Sequence, residues 1–301
     1  MVYYEGFQAV EAMQAAGEAA GWEIEYRQME AGLLEARTVF QPVGSSSLIC
    51  ETASRRLDIA AKTPKSAVTV LVPLTGTRVL INGRRLTDDR IMVLAPNIDL
   101  HASTNSGAEV WSLHLDMKLL EDGDDLDRLA TYVLDGQTSN LEKFRHAIKS
   151  SLDLERDSLL AHCESRFADL TEVLLSSGSQ NGDSDSYHRR HRHKALARAV
   201  EYIQENSAGP VRMSHVCAHA GVSQSTLERL FRSEFQQTPS GYLRARRLDA
   251  VRRSLKQGLG EVKTISSIAS EHGFIHMGHF SCAYRQQFGV LPSEDVRNQQ
   301  S

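Results

Sequence analysis

Histidine is the side chain in this sequence with the clearest capacity to bind a metal ion, and the run HRRHRHK holds three of them. These are His188, His191 and His193. Two metal-binding histidines on a helix usually stand four residues apart, so that both face the same side. No two of these three have that spacing, and arginines stand between them. We therefore interpret the run as a basic approach to the helix ALARAVEYIQEN, suited to contact phosphate.

A second group of possible metal ligands is formed by His101, Glu109 and His114, which fall among short strand-like runs. A metal site on strands needs three or four such ligands close together, commonly with two histidines separated by one residue. No pair of that kind occurs in residues 1–186. A metal-dependent enzyme is therefore the weaker alternative for this half of the chain.

The sequence also lacks the motifs of common catalytic and nucleotide-binding sites. It has no G-x-x-x-x-G-K-[ST] loop, no G-x-G-x-x-G turn, no G-x-S-x-G elbow and no two arginines four residues apart to grip a cyclic dinucleotide. Its four cysteines form no C-x-x-C pair, no run approaches 18 apolar residues, and no signal-peptide pattern is present. These observations predict a cytoplasmic protein with reduced thiols that is not an enzyme and uses no cofactor.

Charge divides the chain into two unlike halves. Residues 187–301 contain 17 Lys and Arg against 9 Asp and Glu, a net charge of +8, whereas residues 1–186 contain 17 against 29, a net charge of −12. A basic half beside an acidic half predicts a polyanionic partner for the basic one. The stretch SSGSQNGD at 176–183 is rich in small polar residues and predicts a linker where the charge changes.

The basic half contains one segment twice. The motif FRSEFQQTPS at 231–240 matches YRQQFGVLPS at 284–293 with an offset of 53 residues. Upstream, residues 213–221 match residues 265–273 with an offset of 52, so the second copy has one extra residue in its turn. This self-similarity indicates a duplicated supersecondary unit.

Each copy has the pattern of two short helices joined by a glycine turn. In the first copy, apolar residues at helical spacing precede Gly221, which ends the first helix where a positive φ costs little. Ser223 then caps a second helix with one apolar stripe. The stripe consists of Leu227, Leu230, Phe231 and Phe235. The pattern predicts two helix-turn-helix units.

A long helix is predicted between the two copies. Thr238 caps it, Pro239 starts it, and it continues through SGYLRARRLDAVRRSLKQ to Gly258. Its length is about 27 Å at 1.5 Å per residue. A spacer of that size could hold two helices near the one-turn repeat of B-DNA, about 34 Å.

Residues 190–297 resemble the AraC/XylS family of bacterial transcription regulators through the motifs GVSQSTLERLF, TPSGYLRARRL, IASEHGF and FGVLPSE. The resemblance implies that two helix-turn-helix units joined by one long helix bind successive major-groove faces. It also implies an N-terminal cupin-like barrel that binds an effector, and helices that can dimerise. The implied partners are double-stranded promoter DNA, a small-molecule effector, RNA polymerase and a second copy of the chain.

Carried over position by position, the resemblance assigns base reading in the first unit to Ser225, Glu228 and Arg229, with Gln224 near the start of the helix. Arg229 can form two parallel hydrogen bonds to guanine, and Glu228 can accept one from cytosine N4. In the second unit the resemblance implies a set of base-reading residues with two histidines beside them. They are Met277, Gly278, Ser281 and Cys282, with His276 and His279.

Other positions of the resemblance carry different roles or depart from the family. Arg232 and Arg285 stand one turn further along their helices, where phosphate contacts are favoured. Cys282 replaces a common arginine and His276 a common serine cap, so we expect weaker base reading by the second unit. Gln236 stands where a glycine is usual. The arginines of the long helix are either phosphate contacts or a solvated face. They are Arg244, Arg246, Arg247, Arg252 and Arg253.

The N-terminal half has the pattern of many short strands after an opening helix, EAMQAAGEAAG. The strand-like runs are AVTVLVP, TRVLINGRRL, IMVLAP and EVWSLHLD, and Asn82-Gly83 is a strong hairpin signal. In the last run, apolar and polar residues alternate, which predicts a half-buried strand. The strands predict a barrel or sandwich. Three helices are predicted after them, over Met117–Val133, Leu141–Leu152 and Leu159–Leu174.

The predicted fold class is therefore α+β. Residues 1–175 are expected to form a cupin-like β-barrel with packing helices, residues 176–187 a linker, and residues 188–301 an all-α domain of two helix-turn-helix units. The predicted function is sequence-specific DNA binding by a transcription regulator, an activator, that responds to a small molecule. The alternatives are a regulator controlled by a partner protein without a small ligand, and a cupin metalloenzyme.

Overall fold

The computed structural model describes residues 3–82, 84–119, 132–135, 142–143, 145–146, 187–257 and 264–297. The chain divides into two compact units. Unit 1 holds Met1–Tyr26, Glu35–Ser54 and Asp58–Asp185, and unit 2 holds Arg27–Leu34, Arg55–Leu57 and Ser186–Ser301. Two short connections from the strand-rich part of the sequence thus belong to the helical unit.

Unit 1 begins with one short strand and one helix, α1, at Gly6–Ala19, which confirms the predicted opening helix and starts it five residues earlier. The described strands are β1 (Tyr3–Glu5), β2 (Glu23–Gln28), β3 (Glu35–Val43), β4 (Ser46–Ala53), β5 (Leu57–Lys62), β6 (Ala67–Pro73), β7 (Arg78–Ile81), β8 (Arg84–Thr87), β9 (Arg90–Leu94), β10 (Asp99–Thr104), β11 (Ala108–Asp116) and β12 (Tyr132–Asp135). The four strand-like runs found in the sequence are all strands.

The strands form two antiparallel sheets rather than one closed barrel in the part of the chain that the structure describes. One sheet has the order β1-β3-β4-β11-β6-β9-β12 and the other β2-β5-β10-β7-β8. A buried apolar cluster contains Leu71 and Met92 from the first sheet and Ile81 and Leu100 from the second. The two sheets therefore share a core, and the predicted barrel is corrected to a pair of facing sheets.

Strand β11 is buried on both faces, so the prediction of a half-buried strand is wrong. Leu113 and Leu115 are fully buried on one face, and Ser112 and His114 on the other are 9% and 1% exposed. Ser112 is the register partner of Leu71 in β6, and Leu71 belongs to the cluster between the sheets. Polar residues alternate in this strand because they line the interior, not because they face water.

Two local predictions for unit 1 concern a hairpin and a helix. The hairpin is confirmed: β7 pairs with β8 across Asn82, which has the left-handed φ of 48° that such a turn requires. Of the helix predicted over Met117–Val133, the structure describes the two ends, a 3-10 turn at Met117–Leu119 and strand β12 from Tyr132, which pairs with β9, and residues 120–131 lie outside the described residues. Most of the other two predicted helices, and residues 176–186, lie outside the described residues.

Unit 2 is helical apart from its two short connections. Its described helices are α2 (Tyr187–Asn206), α3 (Met213–Ala220), α4 (Gln224–Phe235), α5 (Pro239–Lys256), α6 (Ile265–Glu271), α7 (Met277–Phe288) and α8 (Pro292–Arg297). Helices α3 and α4 form one helix-turn-helix, α6 and α7 form the other, and α5 lies between them in sequence. No helix among the described residues is long and apolar enough to span a membrane.

Aromatic rings hold the second helix of each helix-turn-helix against the rest of unit 2. In the first copy, the rings of Phe231 and Phe235 lie 5.4 and 4.9 Å from the ring of Tyr242 in α5. In the second copy, Tyr284 lies 4.7 Å from Phe288, and both residues pack with Leu248 and Val251 of α5. The apolar positions that repeat in the sequence are thus the ones that bury both helices against α5.

The arginines of α5 are mostly neither phosphate contacts nor a solvated face. Arg252 is 3% exposed, donates two hydrogen bonds to Asp295 at 2.7 and 3.2 Å, and lies 4.4 Å above the ring of Phe288. Arg246 is also buried, and Arg247 donates to the carbonyls of Ser207 and Gly209 beyond α2. Burial lowers the pKa of Arg247.

The remaining two arginines of α5 differ from each other. Arg253 pairs with Asp249 one turn earlier, at 2.7 Å, and is only partly exposed. Arg244 is exposed. Of the five arginines, Arg244 alone has the exposure that the sequence interpretation supposed.

The buried Asp295 carboxylate gives the first testable prediction. Its Oδ2 accepts hydrogen bonds from Arg252 and from the hydroxyl of Tyr284, each at 2.7 Å. Asp295→Ala leaves a buried guanidinium without its counter-charge, so we expect the free energy of unfolding to fall by about 3–5 kcal/mol. Urea denaturation measures the change, with the exposed Glu205→Ala as control. A loss no larger than that of the control would contradict the structural role of Asp295.

Candidate functional site

Local backbone chemistry positions α4. Gly221 follows α3 with a left-handed φ of 69°, and the amide of Val222 donates to the carbonyl of Cys217. The Ser223 hydroxyl then accepts from the backbone amide of Thr226 at 3.3 Å, which caps α4. The predicted turn and cap are both confirmed. They set the direction of α4 from its first residue.

The polar face of α4 is turned to solvent. Gln224, Ser225, Arg229 and Arg232 are exposed, and Glu228 is partly exposed. Four predicted DNA-contacting residues in the first turns, with Arg232 one turn later, therefore share one free face of the helix. The opposite face is buried by the apolar stripe.

Glu228 and Arg229 differ in how they are held. The Glu228 carboxylate accepts a hydrogen bond from Gln224 at 3.3 Å and lies 3.7 Å from the guanidinium of Arg232. Arg229 forms no hydrogen bond or ion pair with any residue that the structure describes. Its five N–H donors are available to a ligand, whereas the Glu228 carboxylate must exchange partners to accept from one.

The second helix-turn-helix has the same plan with a longer turn. Thr264 and Ser267 form a reciprocal capping box at the start of α6, and Gly273 has a left-handed φ of 83°. The amide of Phe274 donates to the carbonyl of Ala269, as Val222 does to Cys217 in the first copy. The extra residue is therefore Ile275, whose side chain is 85% exposed. His276 occupies the N-cap without a side-chain cap bond, as its departure from serine predicts.

Helix α7 presents a weaker set of hydrogen-bonding groups than α4. His276, Gly278, His279, Cys282 and Arg285 are exposed. Met277 and Ser281 are partly exposed. Arg285 is the one arginine on this face, and it stands near the C-terminal end of α7. The predicted second set is therefore brought together on one surface, with little capacity for specific hydrogen bonding in its first turns.

The proposed metal ligands are not gathered into a site. No group of three His, Cys, Asp or Glu residues that could hold a metal occurs in the described part of the chain. His101 Nε2 lies 2.7 Å from Asp58 Oδ1, without hydrogen-bond alignment, and His114 has two other partners. The run HRRHRHK lies in α2, where Arg192 and Lys194 are exposed.

The interior of unit 1 contains polar groups that the sequence interpretation missed. The Tyr26 hydroxyl in β2 donates to the Glu51 carboxyl in β4, with oxygen distances of 2.8 and 2.9 Å. Burial raises the pKa of Glu51 from 4.5 to about 7, and the bond from Tyr26 partly offsets the rise. Thr38 is the register partner of Glu51 in β3, and its hydroxyl is buried with no hydrogen-bond partner among the described residues.

A second polar bridge joins Trp22, just before β2, to His114 in β11. Trp22 Nε1 donates to His114 Nε2 at 2.7 Å, so the neutral imidazole carries its proton on Nδ1, 3.2 Å from the Ser47 hydroxyl. Burial lowers the pKa of His114 to about 4, which keeps the ring neutral. Thr69 is the register partner of His114 in β6, and its buried hydroxyl also lacks a partner in the described structure.

Each bridge thus has a threonine hydroxyl beside it that no described protein group satisfies. Buried polar atoms without a partner cost free energy, so such atoms in a native protein usually have a ligand, a water or a function. The signal in the sequence was the alternation of polar residues in EVWSLHLD, which was interpreted as a solvent-facing side.

Comparison with known proteins agrees with the helical geometry. A model described as a helix-turn-helix domain matches residues 216–298. A XylDLEGF operon transcriptional activator of Pseudomonas putida is 35% identical over 103 residues, which are 34% of this chain and 32% of that protein. The chain therefore spans about a third of the length of that relative.

Two further matches extend over a larger share of this chain and of the matched protein. XylDLEGF operon transcriptional activator 2 of Pseudomonas putida is 30% identical over 127 residues, which are 42% of this chain and 77% of that protein. The crystal structure of the AraC-like transcriptional activator CuxR is 14% identical with a TM-score of 0.46, covering 90% of this chain and 99% of that one.

The raised pKa of Glu51 predicts a stability change with pH. A carboxyl with a higher pKa when folded stabilises the protein below its unfolded pKa and loses that contribution as pH rises through 4.5 to about 7. Glu51→Gln cannot ionise, so we expect it to match the wild type near pH 4. Near pH 8 it should be more stable than the wild type by roughly 2–3 kcal/mol.

Thermal or urea unfolding at several pH values measures this difference. The exposed Glu11→Gln in α1 serves as control, with a difference from the wild type that does not change with pH. A constant difference for Glu51→Gln between pH 4 and 8 would show that folding does not raise the pKa of this carboxyl.

Proposed function

This chain belongs to the AraC/XylS family of bacterial transcription regulators, and on that premise we propose that it is a sequence-specific DNA-binding regulator that activates transcription in response to a small molecule. The observation that supports this most is the free polar face of α4, with Arg229 exposed and unpaired among the described residues while the opposite face is buried. A helix in that condition can enter a major groove without unfolding.

In this proposal the two helix-turn-helix units contribute differently to DNA binding. Helix α4 carries the direct readout, since Arg229 can bond guanine O6 and N7 and Glu228 can accept from cytosine N4. Gln224 and Ser225 add contacts at the N-terminal end, and Arg232 contacts phosphate. Helix α7 contributes phosphate binding through Arg285 and apolar contact with thymine methyl groups through Met277. The exposed Ile275, in the turn before α7, adds to this apolar contact.

Helix α5 supplies the spacing between the two units. It has 18 residues, which gives a length of about 27 Å at 1.5 Å per residue. This length supports engagement of two successive major-groove segments, which repeat at about 34 Å. Both α4 and α7 bury aromatic side chains against α5, so the three helices pack together, with α4 and α7 as the two reading helices.

The small-molecule effector is proposed to bind between the two sheets of unit 1. The two unsatisfied hydroxyls, Thr38 and Thr69, support a ligand that donates or accepts hydrogen bonds at both places. The His114 ring is neutral and the Glu51 carboxyl is neutral or negative around pH 7, so both favour an uncharged polar ligand over an anion. The ligand can alter DNA affinity only if it binds more tightly to one arrangement of the protein than to another.

Other partners follow from the proposed activity. An activator in this family context is expected to contact RNA polymerase at its promoter and to work in the cytoplasm. A second copy of the chain is also proposed as a partner, as the family resemblance implies. The proposed boundaries are a sensing domain at 1–175, a linker at 176–187 and a DNA-binding domain at 188–301.

Replacement of one exposed arginine in each reading helix, Arg229 in α4 and Arg285 in α7, tests whether the two helices contribute differently to DNA binding. We expect Arg229→Ala to relax the preference at one base position, by roughly 1–3 kcal/mol of discrimination. We expect Arg285→Ala to weaken matched and scrambled duplexes alike and to reduce the slope of log affinity against log salt by about one. Affinities are measured by fluorescence anisotropy on duplexes selected by the wild-type chain from a random library. Equal loss for Arg229→Ala on matched and scrambled DNA would refute its role in base reading.

Thermal-shift screening with small metabolites tests the effector proposal. A ligand at 100 times its Kd should stabilise the protein by about 2.7 kcal/mol. Because the hydroxyls of Thr38 and Thr69 have no described protein partner, we expect Thr38→Val and Thr69→Val to keep the stability of the free protein and to weaken ligand binding roughly tenfold or more. The control is Thr52→Val, on the other face of β4. Unchanged ligand binding in both interior variants would place the ligand elsewhere.

A further inference from the structure

Two short connections contribute contacts inside unit 2. They are Arg27–Leu34, which starts with the last two residues of β2 and ends before β3, and Arg55–Leu57, which follows β4 and ends with the first residue of β5. Both are part of the same compact unit as the helix-turn-helix pair. We call these two segments together the clamp, because each bonds to the C-terminal end of one of the two reading helices.

The first segment holds the C-terminal end of α7 through a reciprocal pair of glutamines. Gln28 Nε2 donates to the backbone carbonyl of Gln287 at 2.9 Å, and Gln287 Nε2 donates to the backbone carbonyl of Gln28 at 3.0 Å. The two residues are 1% and 7% exposed. Gln28 Nε2 also lies 2.8 Å from the carbonyl of Glu30, which shapes the segment itself.

Backbone contacts complete this attachment. The amide of Gly32 donates to the carbonyls of Gln286 and Gln287, each at 3.1 Å. Gly32 has a φ of +111°, and a Cβ there would lie 2.8 Å from the guanidinium of Arg55. Only glycine fits this position without movement of Arg55. These carbonyls stand in the last turn of α7, where a helix has no internal donors left.

The second segment holds the C-terminal end of α4. Arg56, which is 5% exposed, donates from Nη2 to the side-chain carbonyl of Gln236 at 3.2 Å. Gln236 is the C-cap of α4 and has a left-handed φ of 51°. Glycine, which is usual at this position, would adopt that φ at less cost but would offer Arg56 no acceptor. The glutamine that stands at position 236 in place of the usual glycine is thus the residue that accepts the hydrogen bond from Arg56.

The two segments are bonded to each other. The amide of Met29 donates to the carbonyl of Arg56 at 3.0 Å, and the amide of Arg56 donates to the Glu30 carboxylate at 3.1 Å. Arg55 Nε donates to the carbonyl of Leu33 at 3.2 Å. A continuous chain of hydrogen bonds therefore runs from the end of α4, through the clamp, to the end of α7.

We propose that the clamp positions α4 and α7 relative to each other and so sets the half-site spacing at which the two helices bind one duplex. This inference rests on the proposed DNA-binding function. The hydrogen bonds described above join the clamp to the C-terminal ends of the two helices, and the base-reading residues stand toward the N-terminal ends. Gln28, Gln287, Arg56 and Gln236 act as positioning residues and touch no DNA.

Two variants test the proposal in the full-length chain. Gln28→Met keeps the side-chain length but removes its donors, and Arg56→Ala removes the link to α4. The matched controls are the exposed Gln8→Met and Arg78→Ala. Nuclear magnetic resonance in the free protein follows hydrogen exchange at the Gly32 and Met29 amides. We expect exchange to be roughly tenfold faster or more in both clamp variants and unchanged in the controls.

DNA binding is measured on three duplexes derived from one selected by the wild-type chain. The first is the selected duplex, the second has two base pairs inserted between the half-sites, and the third has the half-site of α7 scrambled. We expect both clamp variants to bind the selected duplex roughly tenfold more weakly than the wild type, a change the size of one or two lost hydrogen bonds. On the other two duplexes their affinity should stay within about twofold of the wild type, so that the preference for one spacing disappears.

The outcomes separate the clamp from the DNA-binding function. Wild-type spacing preference in both clamp variants, or an equal loss of affinity on all three duplexes, would overturn the positioning role. If the wild type binds the selected duplex no better than a scrambled one, the proposed function fails. In that case hydrogen exchange still tests the clamp. Unchanged exchange at the Gly32 and Met29 amides in the variants would overturn the clamp as well, whereas faster exchange would support it as a link between α4 and α7.

Discussion

Burial of aromatic side chains against α5 is the interaction on which the DNA-binding surface depends. Helices α4 and α7 have 12 residues each, a length at which isolated helices are marginal in water. Phe231, Phe235, Tyr284 and Phe288 remove one face of each helix from water and leave the other free. The helices can therefore present polar side chains in a fixed direction before any partner binds.

The same packing changes how the positive charge of unit 2 is distributed. The net charge of +8 suggests a broadly basic surface, but Arg246 and Arg252 lie in the interior. Arg252 neutralises Asp295 and covers an aromatic ring, so its charge is part of the core. The charge available to a polyanion lies on exposed residues such as Arg229, Arg232 and Arg285. In the proposed function, specificity then depends on a small number of exposed side chains.

Unit 1 follows a different principle, because its interior is partly polar. The raised pKa of Glu51, about 7, and the lowered pKa of His114, about 4, both reduce the charge placed in this interior, and each group has a hydrogen-bonding partner. The hydroxyls of Thr38 and Thr69 are not satisfied in this way. Buried hydroxyls without a hydrogen-bond partner lower the stability of the protein, but they could bind the polar groups of a ligand. Unit 2 thus has an apolar core beneath exposed polar helix faces, whereas unit 1 has hydrogen-bonding groups in its interior.

The sequence by itself determined the helical unit in detail. The two turns at Gly221 and Gly273, the Ser223 and Thr238 caps and the apolar stripes are local signals, because capping and helical periodicity involve residues a few positions apart. For the same reason the strands and the Asn82 turn could be predicted. The exposed faces of α4 and α7 followed from the stripes, and the extra residue of the second turn was visible as a change of offset.

Only the tertiary structure decided which polar residues face inward and what they meet. The alternation in EVWSLHLD is the same whether Ser112 and His114 face water or a second sheet, so periodicity could not distinguish the two. Arg252 and Asp295 are 43 residues apart, and Gln28 and Gln287 are 259 apart. A local pattern carries no information on such pairs, because the partner of a buried polar group is set by how distant segments pack. The arrangement of the two sheets and the contacts of the clamp could not be predicted for the same reason, because both depend on how distant segments pack.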